Sequence, residues 1–307
     1  MRIITAAEVH ERGEWRALVA ALLEAHRAPP PLVERSELHH EAQGVRQSFI
    51  SLPAWRPGVA MGAKLVTVMP ANPHLNGLPA VHAVYALFDG ADGRPLALLD
   101  GKALTFRKTA ADSALGAQLL SREDASTLAM IGAGALAPWL VEAHRAVRPS
   151  ISRVLVWNRT AAKAGALAEA VGGEVASTAE DAVRAADIVC CATASSEPVV
   201  KGAWLKEGAH LDLVGGFTPD MRECDDEAVL RSRIFVDSRM FAIDQPGDLA
   251  SPLARGIIKP DRIEADLFDL AKGYCVDRKP ADITLYKNGG GGHLDLFAAL
   301  HIAGDAP

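Results

Sequence analysis

The sequence is poor in aromatic residues, in cysteine and in long apolar runs. Aromatic side chains make up 5% of the 307 residues, and there are four cysteines. No apolar run approaches the roughly 20 residues of a membrane-spanning helix. The first residues lack a basic stretch followed by an apolar core, which is the pattern of a secretory signal. We therefore expect a cytoplasmic protein without membrane contact.

Paired metal-binding cysteines and an excess of basic charge are also absent. Cys190 and Cys191 are adjacent in an apolar run that is typical of buried free thiols, so no metal site is predicted. With 32 Lys and Arg against 38 Asp and Glu, the formal net charge is −6. A broad nucleic-acid face needs clustered basic residues, so no nucleic-acid partner is expected. A local basic pocket for a small anion remains compatible with this charge.

What the sequence does contain is a change of pattern near residue 125. Before it, strand-like runs separated by Pro, Gly and Asn predict an antiparallel sheet. These runs are 48–52, 63–68, 81–88 and 96–99. From Ser126 onward, strands alternate with helices, which predicts βαβ units and a doubly wound parallel sheet. The chain is long enough for two domains, and its fold class is α/β.

The carboxyl-terminal segment begins with a strand-like run at Thr284, continues through four glycines and ends in a helical pattern. Such a segment is compatible with a last unit of the parallel sheet. It is equally compatible with a return of the chain to the first domain. The pattern alone leaves both possibilities open.

A dinucleotide-binding loop follows the first strand of the parallel region. The run Thr127–Ile131 leads into GAGALA at 132–137 and then into a helical stretch. In this arrangement Gly132 permits a tight turn, and Gly134 lets the backbone approach a pyrophosphate at the helix N terminus. We predict that the cofactor is held by Gly132, Gly134, Ala135 and Leu136.

The end of the second strand indicates which nicotinamide cofactor is preferred. An acidic residue at this point would bind the ribose 2′-hydroxyl of NAD. This chain has Asn158, Arg159 and Thr160 there instead. Loss of the carboxylate removes repulsion toward a 2′-phosphate, and an arginine supplies a partner for it. The pattern favours NADPH, with NADH as the alternative.

Several longer segments, taken in order, resemble the ornithine cyclodeaminase/μ-crystallin superfamily. They are residues 62–89, 104–120, the GAGALA loop, VGGFTPDMRE at 214–223, FVDSR at 235–239 and TLYKNGGGGHLD at 284–295. The resemblance implies a Rossmann domain inserted into a smaller α+β domain for substrate binding and dimerisation. It assigns residues 1–122 and 284–307 to the smaller domain and 123–283 to the Rossmann domain. It also implies a homodimer.

The resemblance further implies which residues bind substrate and cofactor. Arg46 and Lys64 resemble the family's carboxylate-binding residues, and Lys108 stands where the family has an arginine. Asp295 resembles a family aspartate near the active site, so Lys64 and Asp295 are the catalytic candidates. Asn288 and Gly289 are expected near the substrate. Topology and resemblance together add further cofactor contacts, which are Thr109, Thr193, Ala194, Ser195, Leu213 and Val214.

The predicted reaction is the reduction of a cyclic ketimine acid, in particular Δ1-pyrroline-2-carboxylate. Ornithine cyclodeaminases carry an aspartate where this chain has Phe217, and a phenyl ring cannot move a proton. The protonated imine needs less acid–base assistance than a cyclisation does. The sequence leaves the six-membered homologue open as a substrate. Alternative functions are an alanine, arginine or lysine dehydrogenase, an ornithine cyclodeaminase, and a μ-crystallin-like binding protein.

Overall fold

The computed structural model describes residues 1–42 and 44–304. Its strands are β1 (Arg2–Ile4), β2 (Leu32–Val33), β3 (Ser36–Ala42), β4 (Val45–Arg56), β5 (Ala60–Val68), β6 (Val81–Asp89), β7 (Pro95–Asp100), β8 (Thr127–Ile131), β9 (Arg153–Trp157), β10 (Glu174–Val175), β11 (Ile188–Cys191), β12 (His210–Leu213), β13 (Ser232–Val236), β14 (Ile263–Asp266) and β15 (Ile283–Lys287). Its helices are α1 (Ala6–Arg12), α2 (Trp15–His26), α3 (Asn72–Leu75), α4 (Gly101–Leu120), α5 (Ala137–Val147), α6 (Ala161–Val171), α7 (Ala179–Ala185), α8 (Asp226–Arg231), α9 (Arg239–Ala242), α10 (Gly247–Ala254), α11 (Leu267–Ala271) and α12 (Gly292–Ala303).

The first compact unit contains residues 1–108 and the carboxyl-terminal helix α12. Its seven-stranded sheet has the order β1-β7-β6-β5-β4-β2, with β3 added on β4. From β3 to β7, consecutive strands pair antiparallel, which confirms the pairing predicted from the four strand-like runs, and β1 joins β7 in parallel. Helix α12 packs on β4, β5 and β6 and also contacts α2, so it covers one face of this sheet.

The two faces of this sheet differ because side chains alternate along each strand. Lys64 and Tyr85 are opposite each other in the β5–β6 register, and both are buried. The other face exposes apolar side chains, since Leu38 pairs with Phe49 across β3 and β4 and both are exposed. Trp55 follows at the same parity on β4 and is exposed as well. We call this surface the apolar sheet face.

The second compact unit is the continuous segment Thr109–Gly290. Its eight strands are all parallel, in the order β10-β9-β8-β11-β12-β15-β13-β14. The order β10-β9-β8-β11-β12 is that of a Rossmann sheet. The strands β9 and β10 are added on one side of β8, and the next strands, β11 and β12, are added on its other side. The predicted doubly wound α/β fold is confirmed.

The boundaries of the two units differ from those expected. Residues 284–307 were assigned to the first domain, but β15 pairs in parallel with both β12 and β13 and is therefore an interior strand of the second unit's sheet. A strand held by ladders on both sides cannot leave that sheet. The chain returns to the first unit only at Gly291, and at the other boundary α4 passes from one unit to the other after Lys108.

The interior of the second unit accounts for three of the four cysteines. Cys190, Cys191 and Cys224 are buried free thiols, whereas Cys275 is exposed. Among the described residues, no helix combines the length and apolar character needed to cross a membrane.

Candidate functional site

The GAGALA segment forms a tight loop between β8 and α5. Gly132 has a φ of +104°, and a Cβ there would lie 2.5 Å from the carbonyl oxygen of Ala192. At Gly134 an added Cβ would meet no atom within 4 Å, so the backbone faces open space. No side chain caps the start of α5, which follows directly from Leu136. This open cradle at a helix N terminus fits the pyrophosphate of a dinucleotide.

A cavity of about 310 Å³ adjoins this loop at the carboxyl ends of the parallel strands. It brings together most of the predicted cofactor residues, namely Gly132, Gly134, Asn158, Arg159, Thr160, Thr193, Ala194 and Ser195. Ala135 and Leu136 lie in the turn into α5 without lining it. Lys163, in the first turn of α6, also lines the cavity and was missed from the sequence. The position of this lysine three residues after Thr160 could have indicated it.

Asn158 forms hydrogen bonds that support the loop, and the positive charge at this end of the cavity comes from neighbouring residues. Its Oδ1 accepts a hydrogen bond from the Ala133 amide at 3.2 Å, and its Nδ2 donates to the Thr160 carbonyl at 3.0 Å. With the amide group committed to these bonds, Arg159 and Lys163 supply two exposed cations at this end of the cavity. Two such cations can pair with an anionic group of a ligand.

In the first unit, two buried lysines share one buried carboxylate. Lys64 on β5 places its Nζ 2.9 Å from Asp295 Oδ2 and 3.1 Å from Oδ1. Lys108 Nζ lies 3.9 Å from the same Oδ1. Asp295 belongs to the first turn of α12 and is completely buried. The structure therefore brings together the predicted residues Lys64, Lys108 and Asp295.

The arginine near Lys64 is Arg35 and not the predicted Arg46. Leu52 on β4 is the strand partner of Lys64 on β5. Arg46 lies six residues before Leu52 on the same strand, which separates Arg46 from Leu52 by on the order of 20 Å. Arg46 is exposed and pairs with Glu41 in the β3–β4 hairpin. Arg35 instead lies just before β3, close enough for its charge to lower the pKa of Lys64. We call Arg35, Lys64, Lys108 and Asp295 the lysine cluster.

Arg107 and Lys108 face different partners because adjacent helical residues point about 100° apart. The Arg107 guanidinium stacks 4.0 Å from the centre of the Trp15 ring, and its Nε donates to His10 Nδ1 at 3.1 Å. Arg107 thus joins α4 to the first two helices. Lys108 is the member of this pair that reaches Asp295, as the sequence position predicted.

Burial and charge both act on the titration of this cluster. Burial lowers the pKa of Lys64, the Asp295 carboxylate opposes this, and the cations of Lys108 and Arg35 lower it further. The pKa of Tyr85 is raised, first by burial and then by the charge of Asp295. Its ring leaves no room for a side chain at position 62, since a Cβ on Gly62 would lie 2.3 Å from the Tyr85 hydroxyl. Tyr85 was not among the predicted residues.

Asn288 follows β15 in the second unit, and its side chain is held in one orientation. Its Nδ2 donates to the Thr109 carbonyl and to Ser113 Oγ, both at 3.0 Å. Its backbone amide donates to the carbonyl of Leu213. Both amide hydrogens are thereby used, and Oδ1 is left as an acceptor. Such a group fits an N–H donor and not a carboxylate.

The remaining residues named in the sequence analysis lie at or after the ends of strands β12 and β15. The Val214 amide donates to the Cys191 carbonyl at the end of the parallel ladder. Gly289 has little room, because a Cβ would lie 3.0 Å from the backbone of Ala242. Phe217 lies in the loop after β12 with its side chain largely exposed.

A buried group of metal-binding residue types lies beneath α5 and was not expected. Atoms of His144, Cys190 and Asp212 lie within 4.8 Å of one another. Hydrogen bonds account for much of the group, since Asp212 accepts from the Cys190 thiol at 3.1 Å and from Ser113 Oγ at 3.0 Å. Burial raises the pKa of both Asp212 and Cys190. Three separate elements contribute these residues, so no spacing in the sequence announces them.

Comparisons with known proteins agree with this architecture. A Delta(1)-pyrroline-2-carboxylate reductase of Paracoccus denitrificans is 42% identical over 298 residues, which cover 95% of this chain and 93% of the relative. The Thermococcus litoralis Delta(1)-pyrroline-2-carboxylate reductase, solved in complex with NADH and L-proline, superposes with a TM-score of 0.88 at 28% identity, covering 99% of this chain and 96% of that one.

An archaeal alanine dehydrogenase dimer with bound NAD has a TM-score of 0.87 at 27% identity, covering 99% of this chain and 95% of that one. The family model described as the ornithine cyclodeaminase/mu-crystallin family matches residues 2–305, which is nearly the whole chain. This protein therefore belongs to the ornithine cyclodeaminase/mu-crystallin family.

Proposed function

We propose that this protein is a nicotinamide-dependent reductase of cyclic imino acids that converts Δ1-pyrroline-2-carboxylate to L-proline, with NADPH as its preferred cofactor. The observation that carries the proposal is the charge of the lysine cluster. Lys64 and Lys108 are buried beside one carboxylate, whereas Arg35 at the edge of the cluster is exposed and paired with Glu37. Buried cations in excess of their partners are costly unless an anion joins them, and a substrate carboxylate fits that requirement.

The residues of this chain then have separate tasks. Lys64 and Lys108 hold the substrate carboxylate, and Asp295 fixes the position of Lys64 through two contacts of about 3 Å. A nicotinamide cofactor would be held by the residues that line the cavity next to the GAGALA loop, and when bound it would supply the hydride that the reduction requires. Orientation of a planar imine in this way replaces a bimolecular encounter by a positioned one. Lys64 is also a group that can donate a proton near the substrate, because burial lowers its pKa and so makes its ammonium form a stronger acid.

Some of the named relatives support the cyclic substrate, whereas one of them supports the alternative of an open-chain amino-acid dehydrogenase. Reductases of Δ1-pyrroline-2-carboxylate are among the most similar proteins, at 42% identity. The archaeal alanine dehydrogenase has the same fold at 27% identity. An open-chain dehydrogenase must add or remove water and ammonia, which calls for a stronger acid–base group than Phe217 provides. We therefore favour the cyclic imine, with the six-membered homologue as a second substrate.

Oxidation of NADPH, followed by its absorbance, tests the reaction directly. The purified protein should oxidise NADPH with Δ1-pyrroline-2-carboxylate, and with the six-membered imine at a lower or equal rate. Oxidation only with pyruvate and ammonia would establish the open-chain dehydrogenase instead. Release of ammonia from ornithine without net change in the nicotinamide would establish a cyclodeaminase, and the absence of all three activities would contradict the enzyme proposal.

The preference for NADPH has its own test at Arg159. Replacing Arg159→Ala should weaken NADPH binding by about 10- to 100-fold, because a hydrogen bond between charged groups is worth about 1.5–3 kcal/mol. NADH binding should change little. Arg153→Ala is the matched control, since this exposed arginine lies at the other end of β9 and pairs with Glu174. Equal losses for both cofactors would contradict a role in selecting the 2′-phosphate.

We also propose that two copies of the chain associate through the apolar sheet face. Leu38, Phe49 and Trp55 are exposed on that face, and Val84 joins them from β6. Several exposed apolar side chains on one face are typical of protein interfaces. Phe49→Asp should yield monomers in sedimentation experiments, whereas Leu230→Asp, at an exposed apolar residue of the second unit, should not. A Phe49→Asp variant that stays dimeric would refute this interface.

A further inference from the structure

Three completely buried ionisable side chains lie at the carboxyl edge of the parallel sheet and have no part in the function proposed above. Glu223 lies in the segment between β12 and α8, Asp248 lies in α10, and Lys287 ends β15. Lys287 Nζ is 3.1 Å from Asp248 Oδ2, and Asp248 Oδ1 accepts the backbone amide of Glu223 at 2.7 Å. We call these three residues the carboxylate cluster.

The Glu223 carboxylate joins two loops that follow neighbouring strands. Its Oε1 accepts from the Thr193 amide at 2.7 Å and from Thr193 Oγ1 at 2.9 Å. Its Oε2 accepts from the Gly215 amide at 2.6 Å. Thr193 lies in the loop after β11 and lines the dinucleotide cavity, while Gly215 lies in the loop after β12. One side chain thus fixes the spacing of both loops.

The backbone after β12 lies too close to these carboxylates for a side chain at positions 215 and 216. A Cβ at Gly215 would lie 1.9 Å from the Thr193 carbonyl oxygen and 2.6 Å from Glu223 Oε1. A Cβ at Gly216 would lie 2.6 Å from Asp248 Oδ2. The glycine pair after β12 is therefore required by close contact with the carboxylate cluster.

The hydrogen bonds of Glu223 favour its ionised form. Its donors include two backbone amides, which can only donate, and a proton on the carboxyl group would compete with one of them. The charged groups that face it are Asp248 from α10 and Lys287 from β15, and the thiol of Cys191 on β11 is also adjacent. Burial and then Asp248 raise the pKa of Glu223 to about 7, while Lys287 opposes the shift. Burial raises the pKa of the Cys191 thiol well above its usual range, so it is neutral near pH 7.

We propose that Glu223 is a positioning residue that holds the loops after β11 and β12 in their cofactor-binding arrangement only while it is ionised. The proposal rests on the nicotinamide-dependent function and extends it, because it makes cofactor affinity sensitive to protons. When Glu223 takes up a proton, at least one loop loses its anchor. The fraction of protein that can bind the cofactor therefore decreases as the pH is lowered.

The dissociation constant of NADH, measured by quenching of protein fluorescence between about pH 6 and pH 8, tests this proposal. NADH is preferred to NADPH as the probe because a phosphate monoester itself titrates near pH 6. Below the midpoint, affinity should fall about tenfold per pH unit, since only the ionised fraction binds. In Glu223→Gln the affinity at pH 8 should be about tenfold weaker and nearly independent of pH. A variant that keeps the wild-type pH dependence would overturn the proposal.

Two further variants separate this role from a general effect on folding. Asp187→Asn is a matched control, because Asp187 also accepts two backbone amides and pairs with a lysine, but at the start of β8. It should leave the pH dependence of NADH binding intact. Thr193→Val removes one donor from Glu223 and should shift the midpoint of the pH dependence to higher pH. An unshifted midpoint would contradict the proposal even if Glu223→Gln fails to fold. Absence of NADH binding at every pH would instead count against the proposed function.

Discussion

The lysine cluster of the first unit and the carboxylate cluster of the second unit contain the same kinds of side chain with opposite balances of charge. In the lysine cluster, Lys64 and Lys108 outnumber Asp295. In the carboxylate cluster, two carboxylates outnumber Lys287. The excess negative charge is matched within the fold by backbone amides that donate to Glu223 and Asp248. We propose that a ligand matches the excess positive charge of the lysine cluster, so that the balance of internal partners distinguishes a binding site from a support.

The largest effect that would sharpen this contrast is expected from Lys64→Met. This change removes the charge that contacts both Asp295 oxygens, so kcat/KM should fall by roughly a thousandfold or more, equivalent to about 4 kcal/mol. NADH binding should be unchanged, since the cofactor residues belong to the second unit. Steady-state kinetics and cofactor titration provide the two readings. Lys259→Met, at an exposed lysine, is the control and should behave as wild type.

Lys287→Met should lower the free energy of unfolding, whereas Lys64→Met should lower kcat/KM. Removing this buried cation leaves Glu223 and Asp248 without a counter-ion, which should cost about 3 kcal/mol in the free energy of unfolding. A carboxyl group with a raised pKa destabilises the fold when ionised, so the loss should be greater at pH 8 than at pH 6. Denaturant unfolding at both values measures it. A loss independent of pH would show that packing, and not charge, is responsible.

Asp295→Asn is expected to have an intermediate effect that depends on pH. The carboxylate of Asp295 raises the pKa of Lys64 against the effect of burial, so its removal should lower that pKa further. Lys64 loses its charge as the pH rises through its pKa, and the charged form is the one that binds a carboxylate. We expect kcat/KM to fall by about 30-fold at pH 8, or about 2 kcal/mol, and by less at pH 6. A loss of kcat/KM that increases as the pH is lowered would contradict this role of Asp295.

The smallest expected effect is competition by a simple anion. Acetate should raise the KM for the imino acid a few-fold, because a single ionic contact is worth about 1 kcal/mol or less. Acetamide has nearly the same shape without the charge and should have no effect. Neither compound should alter NADH affinity, because the carboxylate cluster already has its partners. Equal inhibition by both compounds would contradict an anion-binding role for the lysine cluster.

Local features of this molecule could be predicted from its sequence, whereas contacts between distant segments could not. The GAGALA loop was recognised because its glycines, the strand before it and the helix after it are consecutive. Lys64, Lys108 and Asp295 were named through resemblance. Arg35 was missed because its proximity to Lys64 depends on the pairing of β4 with β5 and on the turn before β3.

The carboxylate cluster shows the same limit more clearly. Glu223, Asp248 and Lys287 come from a connecting segment, a helix and a strand, and no periodicity relates them. Their partners are mostly backbone amides, which every residue except proline possesses and which therefore leave no trace in the sequence. The position of β15 was misjudged for a similar reason, because an isolated strand pattern does not specify its neighbours in the sheet.

Helix α12 also has a consequence for the order of events during synthesis. It covers β4, β5 and β6 and carries Asp295, yet it is made after the whole of the second unit, which is a continuous segment of the chain. The second unit can complete its sheet once Gly290 has left the ribosome, since domains generally fold as units. The first unit must wait for α12, with the buried face of its sheet uncovered and its two lysines without their carboxylate until then. A truncation before Gly291 would therefore leave a folded nucleotide-binding unit attached to an unfinished partner.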